Sequence, residues 1–123
     1  MRYIDSNILA YAFYENEHRE RCQELIKEGG ITNTVNVLEA FNIIQYQVNT
    51  EYATTVIRSL LKSKIIIIEI NINSVFETLK RTTKLKKLKI NDLLHYTIAV
   101  IHNCSEIASF DHDFDNLDIP RVS

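Results

Sequence analysis

Four acids stand where apolar stretches of the chain begin, end or are interrupted: Asp5 in YIDSNIL, Glu39 in TNTVNVLEAF, Asp92 in INDLLHYTIAV and Asp111 in IASFDHDF. Brought together, they would resist one another, because two unit charges ~5 Å apart repel by about 3 kcal/mol at an effective dielectric near 20. Such a cluster persists only when a cation binds it or protons neutralise it. A set of oxygen ligands suits Mg2+ or Mn2+ better than zinc. An ion of this kind polarises a phosphoryl oxygen and generates hydroxide from water, which is the chemistry of phosphodiester hydrolysis. Each acid also has an ordinary role available. Asp92 would favour a helix N-terminus by roughly 0.3–1 kcal/mol. Glu39 would suit a solvated helix face, were it not flanked by Leu38, Ala40 and Phe41. Asp5 is the hardest to explain in such terms, because it interrupts an apolar segment.

The run DHDFDNLD, from Asp111 to Asp118, imitates a calcium loop, with aspartates at its first, third and fifth places. The sixth place is Asn116 rather than glycine and the twelfth is Val122 rather than glutamate, so the loop fails at both positions that make it work. The run divides instead. Asp111, at a strand end, belongs with Asp5. Asp113 is a candidate further ligand for a second ion. Phe114 is expected in the core, and Asp115 and Asp118 are expected as solvated turn or cap residues.

These positions gain meaning from the elements around them. Arg2–Ile4 reads as a short strand, with a helix over Asn7–Phe13 directly after it. Glu15–Glu28 is a polar helix stopped by Gly29-Gly30. Ile31–Thr34 is a second strand, and Val35–Val48 carries a helical apolar period. Thr50 is a candidate N-cap for a helix over Glu51–Lys62. Lys64–Ile70 (KIIIIEI) is continuous and β-branched, as in a strand covered on both faces. Asn73-Ser74 are expected to cap a helix reaching about Lys86, and Asn91 one from Asp92 to about His102. Glu106–Phe110 is a fourth strand, and Ile119–Val122 a short fifth whose proline suits an edge. Alternating strands and helices predict a three-layer α/β/α fold with a central parallel sheet of four to five strands. In such a sheet ligands bind at the carboxyl ends of the strands, where all four acids fall.

The bulk composition narrows the classes. A chain of 123 residues fits a single domain, residues 1–123, and its two glycines and one proline leave little for linkers. A net charge of −2 gives no global attraction to nucleic acid or membrane, so any such contact must be local. Cys22 and Cys104 lie far apart without metal or redox spacing, which predicts reduced thiols and a cytoplasmic protein. The aliphatic run Ile65–Ile68 falls far short of the ~18 residues of a membrane span. The histidines at 18, 95, 102 and 112 show no metal spacing, and His112 is expected in a surface turn. The segment KRTTKLKKLK, residues 80–89, holds six basic residues in ten. It suits an RNA backbone or, more simply, a solvated helix end. The apolar helices at 35–48 and 51–62 offer either core or an association face.

In order and context the four acid segments resemble those of PIN domains, over essentially the whole chain, and most resemble the stand-alone toxin ribonucleases of the VapC type. The resemblance implies a metal-dependent endoribonuclease acting on RNA and leaving a 5′-phosphate. Asp5 and Asp92 would be the main ligands of Mg2+ or Mn2+, with Glu39 and Asp111 completing the site. Ser6, Asn7, Thr32 and Ser109 would hydrogen-bond the carboxylates. It also implies a homodimer and a cognate antitoxin, one that sets a basic side chain into the acidic pocket. Two places depart from the family pattern: Ile90-Asn91 before the third acid, and Asn33 and Asn36 before Glu39. The competing functions are a PIN nuclease of RNA processing or quality control, a PIN module that binds RNA or protein without cleaving, and, more distantly, a receiver-like phosphoacceptor domain.

Overall fold

A computed structural model describes all 123 residues. The strands are β1 (Arg2–Ile4), β2 (Ile31–Asn33), β3 (Ile66–Ile68), β4 (Glu106–Ala108) and β5 (Arg121–Val122). The helices are α1 (Ser6–Tyr11), α2 (Arg19–Glu28), α3 (Thr34–Gln47), α4 (Thr50–Leu61), α5 (Ile72–Leu79) and α6 (Ile90–Ile101). The sheet is five-stranded and parallel throughout, in the order β3-β2-β1-β4-β5.

Alternation along the strands sorts the core into two layers. Ile4 and Ala108 face α1, α2, α3 and α4, where Ile8, Leu9, Cys22, Leu25, Ile44 and Ile57 are buried. Tyr3 and Ile107 face the other way, onto Leu93, Tyr96 and Ile98 of α6 and onto Phe114. α5 packs on α6. The three-layer parallel fold expected from the sequence is therefore present, with five strands. One glycine is required by the sheet itself: a Cβ on Gly30, which has φ +149°, would lie 2.5 Å from the Arg2 carbonyl oxygen.

Several local expectations are corrected. The isoleucine run is an edge strand, paired only with β2, and Ile66 is 48% exposed rather than covered on both faces. The cap of α4 is Asn49, whose side chain accepts from the Tyr52 N–H, so Thr50 lies inside the helix. α5 is capped by Asn71, with Ser74 closing a reciprocal capping box. It ends at Leu79, seven residues before the expected stop at Lys86, where the backbone passes to i→i+3 turns: the Arg81 N–H donates to the Thr78 carbonyl, and the Thr82 N–H and hydroxyl both donate to the Leu79 carbonyl. Residues 80–88 are consequently turns, not the end of a helix. α6 is preceded by Lys89 as cap, which leaves Asn91 and Asp92 in the first turn.

Candidate active site

The carboxyl edge of the sheet is where the candidate side chains meet. β1 is the central strand, and its neighbours β2 and β4 lead away in opposite directions, which makes the gap between β1 and β4 the switch point of the topology. Asp5 directly follows β1, and its side chain accepts from the Ser6 N–H at the start of α1. β2 runs straight into α3, which carries Glu39 in its second turn. Asp111 follows β4 and accepts from the Asp113 N–H at 2.9 Å to open the 3-10 turn His112–Phe114. Asp92 comes from the first turn of α6, anchored from behind by the buried Leu88 and Leu93. Asp5, Glu39, Asp92 and Asp111 line one open cleft of about 340 Å³ with Ser6, Asn7, Asn42 and Ile43. A larger groove of about 800 Å³, between residues 77–85 and 116–119, has no comparable convergence of acids and is separate from this cleft.

Within the cleft the acids are held differently. Asp5 is 5% exposed, and its Oδ1 accepts from the Ser6 N–H at 2.8 Å, from the Ser6 hydroxyl at 3.3 Å and from Asn36 Nδ2 at 3.1 Å. Its Oδ2 accepts from the Ser109 hydroxyl at 2.6 Å. Glu39 Oε1 accepts from Ser6 Oγ at 2.8 Å, from Asn36 Nδ2 at 3.3 Å and from His95 Nε2 at 2.8 Å. Burial pushes the Glu39 carboxyl up, but the hydrogen bonds from His95, Ser6 and Asn36 outweigh it and hold the group below its usual range. Asp92 is the opposite case. Burial, then the neighbouring charges of Asp111 and Asp5, push it up to about 6. Asp92, Asp111 and Asp113 bring carboxylate oxygens within 4.8 Å of one another, as do Asp5 and Glu39 with the ring of His95. All-oxygen ligands in mutual repulsion are the donor set that a hard divalent cation relieves.

The remaining sequence candidates are placed as follows. Ser6 and Ser109 bond the carboxylates directly. Asn7 does so only indirectly, donating to Ser109 Oγ at 3.4 Å and accepting from the Phe110 N–H. Thr32 is fully buried and turns away from the acids, donating to the Ile4 carbonyl at 2.8 Å. Asp113 is exposed beside Asp92 and Asp111. Phe114 is buried, as expected of an anchor. Asp115 is not a free turn residue: Arg121 Nε meets it at 2.6 Å, so it fastens β5 to the loop, while Asp118 is exposed. His112 is an exposed turn residue paired with Asp115.

Three polar residues at the site escaped the sequence reading. Asn33, Asn36 and His95 are buried, and together with Tyr3 they link the sheet to Asp5 and Glu39. A signal existed for each. Asn36 and Glu39 are three residues apart, as are Asp92 and His95, a spacing that places side chains on one helix face, and Asn33 stands three residues before Asn36, where a cap faces the first turn.

The PIN-domain family model matches residues 2–120. No curated protein sequence matches the chain. Among solved structures, the chain is similar to Mycobacterium tuberculosis VapC20, described as a toxin that cleaves the sarcin-ricin loop, at TM-score 0.84 and 9% identity, covering 99% of this chain and 98% of that one. It is similar to a chain of a toxin–antitoxin complex from Klebsiella pneumoniae at TM-score 0.75 and 15% identity, covering 100% and 97%. It is also similar to a chain of VapBC2 from Rickettsia felis, bound to promoter DNA, at TM-score 0.73 and 18% identity, covering 100% and 98%.

Proposed function

The chain belongs to the PIN-domain family, and from that premise we propose that it is a metal-dependent endoribonuclease, a single nuclease domain serving as the toxin of a toxin–antitoxin pair in the cytoplasm. The observation that carries the reading is the convergence of Asp5, Glu39, Asp92 and Asp111 on one cleft, in which Asp92 is driven up to about 6 by burial and its acidic neighbours. Asp5 and Asp92 are the proposed main ligands of Mg2+ or Mn2+, Glu39 and Asp111 complete the set, and Asp113, beside Asp92 and Asp111, is the candidate further ligand for a second ion. When bound, the ion supplies a polarised phosphate and an acidified water. Ser6, Asn36 and Ser109 hold the carboxylates in fixed orientations, so that little rearrangement accompanies binding of ion or substrate.

RNA as substrate is supported by two surfaces. The turn segment 80–89 leads directly into α6 and Asp92, and of its cations Lys84, Lys86, Lys87 and Lys89 make no ion pair, Lys87 donating to the Asp115 carbonyl. Next to the cleft, Phe110 packs on His18 at 4.3 Å and on Tyr11 at 5.7 Å, a stack of partly exposed rings of the kind on which bases lie. A protein partner is supported by the likeness to chains of toxin–antitoxin complexes. Self-association is supported by α5, which turns Ile72, Val75, Phe76 and Leu79 to solvent at 70, 47, 58 and 52% exposure while burying Ser74 and Thr78. No helix is long and apolar enough to cross a membrane.

The deciding experiment compares wild type with Asp5→Asn on RNA in Mg2+, Mn2+ or chelator. The variant should fold, because the amide oxygen keeps the Ser6 N–H and the amide nitrogen can donate to Ser109 Oγ. Cleavage should require the ion and vanish in the variant. Full activity in Asp5→Asn would overturn the assignment.

A further inference from the structure

His95 is 1% exposed and lies behind Glu39, off the lining of the cleft. Its nearness to Asp5 and Glu39 gives it the look of a third ligand. The hydrogen bonds around it say otherwise. The Asn36 backbone N–H lies 3.0 Å from Asn33 Oδ1, and a backbone N–H only donates. The Asn33 amide is thereby fixed: its oxygen faces Asn36, and its nitrogen faces Tyr3 Oη at 2.6 Å and His95 Nδ1 at 2.9 Å. With two amide protons for two acceptors, Nδ1 is the accepting nitrogen of the ring, and the ring proton resides on Nε2, aimed at Glu39 Oε1 at 2.8 Å. A histidine that ligates a metal through Nε2 carries its proton on Nδ1 and donates it to an oxygen. His95 has the reverse arrangement.

The polarity continues through the second branch. Tyr3 Oη accepts from Asn33, so its own proton goes to Asn36 Oδ1. That fixes the second amide, whose nitrogen then faces Asp5 Oδ1, Ser6 Oγ and Glu39 Oε1. One backbone N–H thus orients two amides, a phenol and an imidazole, and every branch ends as a donor to a carboxylate of the cleft.

We propose that His95 is a positioning residue, locked by Asn33 as its Nε2–H tautomer, which pins Glu39 Oε1 and thereby presents Glu39 Oε2 to the cleft. This rests on the reading of the cleft as a metal site, and it adds which nitrogen bears the proton, which residue dictates that, and that the imidazole is not a ligand.

The experiment has two arms. Long-range 1H–15N NMR of the imidazole in the wild-type protein, without metal and with Mg2+, should show the proton on Nε2 and the pattern unchanged by the ion. Protonation at Nδ1, or a shift of Nε2 that marks ligation, would overturn the proposal. Calorimetric titration with Mn2+ should show His95→Leu binding about 10- to 100-fold more weakly. His95→Gln, whose amide nitrogen reaches the Nε2 position, should recover most of that loss. Equal binding in all three proteins, with binding intact in wild type, would sink the positioning role alone. Absence of Mn2+ binding in wild type would instead remove the metal-site reading beneath it. If His95→Leu fails to fold, the tautomer measurement on wild type still decides.

Discussion

The Ser109 hydroxyl reaches Asp5 Oδ2 at 2.6 Å, a bond between residues 104 positions apart that joins the ends of the two central strands. The same oxygen accepts from the Asp111 N–H at 3.0 Å, so a single hydroxyl spaces two acids of the cleft. Ser109→Ala should leave a buried carboxylate oxygen and a backbone donor without this partner. The expected loss is about 2 kcal/mol of folding stability, read from urea denaturation. Metal affinity should fall as well, because the Asp111 loop loses its tether. An unchanged denaturation midpoint would show the bond to be incidental.

Asp92 and Glu39 should respond to pH with opposite signs. The folded-state value of Asp92, about 6, lies above its ordinary 3.8, so the metal-free folded protein holds that proton longer than the unfolded chain. Its contribution to stability is therefore present at low pH and is lost as pH rises through about 6. Asp92→Asn removes the penalty. The metal-free variant should be more stable than wild type at pH 7.5, by ~1 kcal/mol after allowance for solvent screening, with the gap closing near pH 4. A less stable variant at pH 7.5 would make Asp92 a structural acid.

Glu39 is held below its ordinary value, so its contribution is present above the unfolded value and is lost as pH falls through the folded one. Glu39→Gln should cost about 1–3 kcal/mol at neutral pH, since three donors lose their anionic acceptor. Thermal melts of the metal-free proteins from about pH 2 to 8 would separate the two acids by the sign of their slopes, that of Glu39 below its ordinary value and that of Asp92 up to about 6.

Phe76→Glu tests the outward face of α5. The helix packs on α6 through its other side, where Ser74 and Thr78 are buried, so a charge at position 76 has no core contact to disturb. The variant should keep its melting temperature and shift toward monomer in light scattering. Retained self-association would move the interface elsewhere.

Replacing Lys86 and Lys89 with glutamine tests the turn segment as a path for RNA. Each neutralised contact should reduce the slope of log affinity against log salt by about 0.7 for a single strand. Mn2+ binding should not change. A full slope in the double variant would return these lysines to the role of solvated charges.

Much of the fold was legible because its signals are local. Strand ends followed by acids and the alternation of strands with helical segments each lie within a few residues, whereas each expected cap lay one or two residues from the actual one, Asn49, Asn71 and Lys89. What was not legible depended on neighbours distant in sequence. The isoleucines of β3 read as buried because composition cannot say that a strand will have only β2 beside it. α5 was read too long because the basic residues after Leu79 suit a helix end, whereas the chain passes there into successive turns. The four acids were found individually, but not the differences among them. Glu39 sits below its usual range because His95, 56 residues away, donates to it, and Asp92 sits above because it is partly buried and because Asp111 and Asp5 arrive from the other strands. Asn33 and Asn36 stood out only as departures from a family pattern. In the structure they orient the buried polar network.

The central position of β1 has a bearing on how the molecule comes into being. Its register partners on one side are Glu106, Ile107 and Ala108, opposite Arg2, Tyr3 and Ile4. On that side β1 has no strand beside it until the segment around Ile107 is present, whereas β2 and the helices of one layer lie within the residues up to 61. The cleft cannot assemble on the nascent chain until residue 111 has emerged. A product that stops short of Asp92 carries Asp5 and Glu39 without the two acids that face them across the cleft.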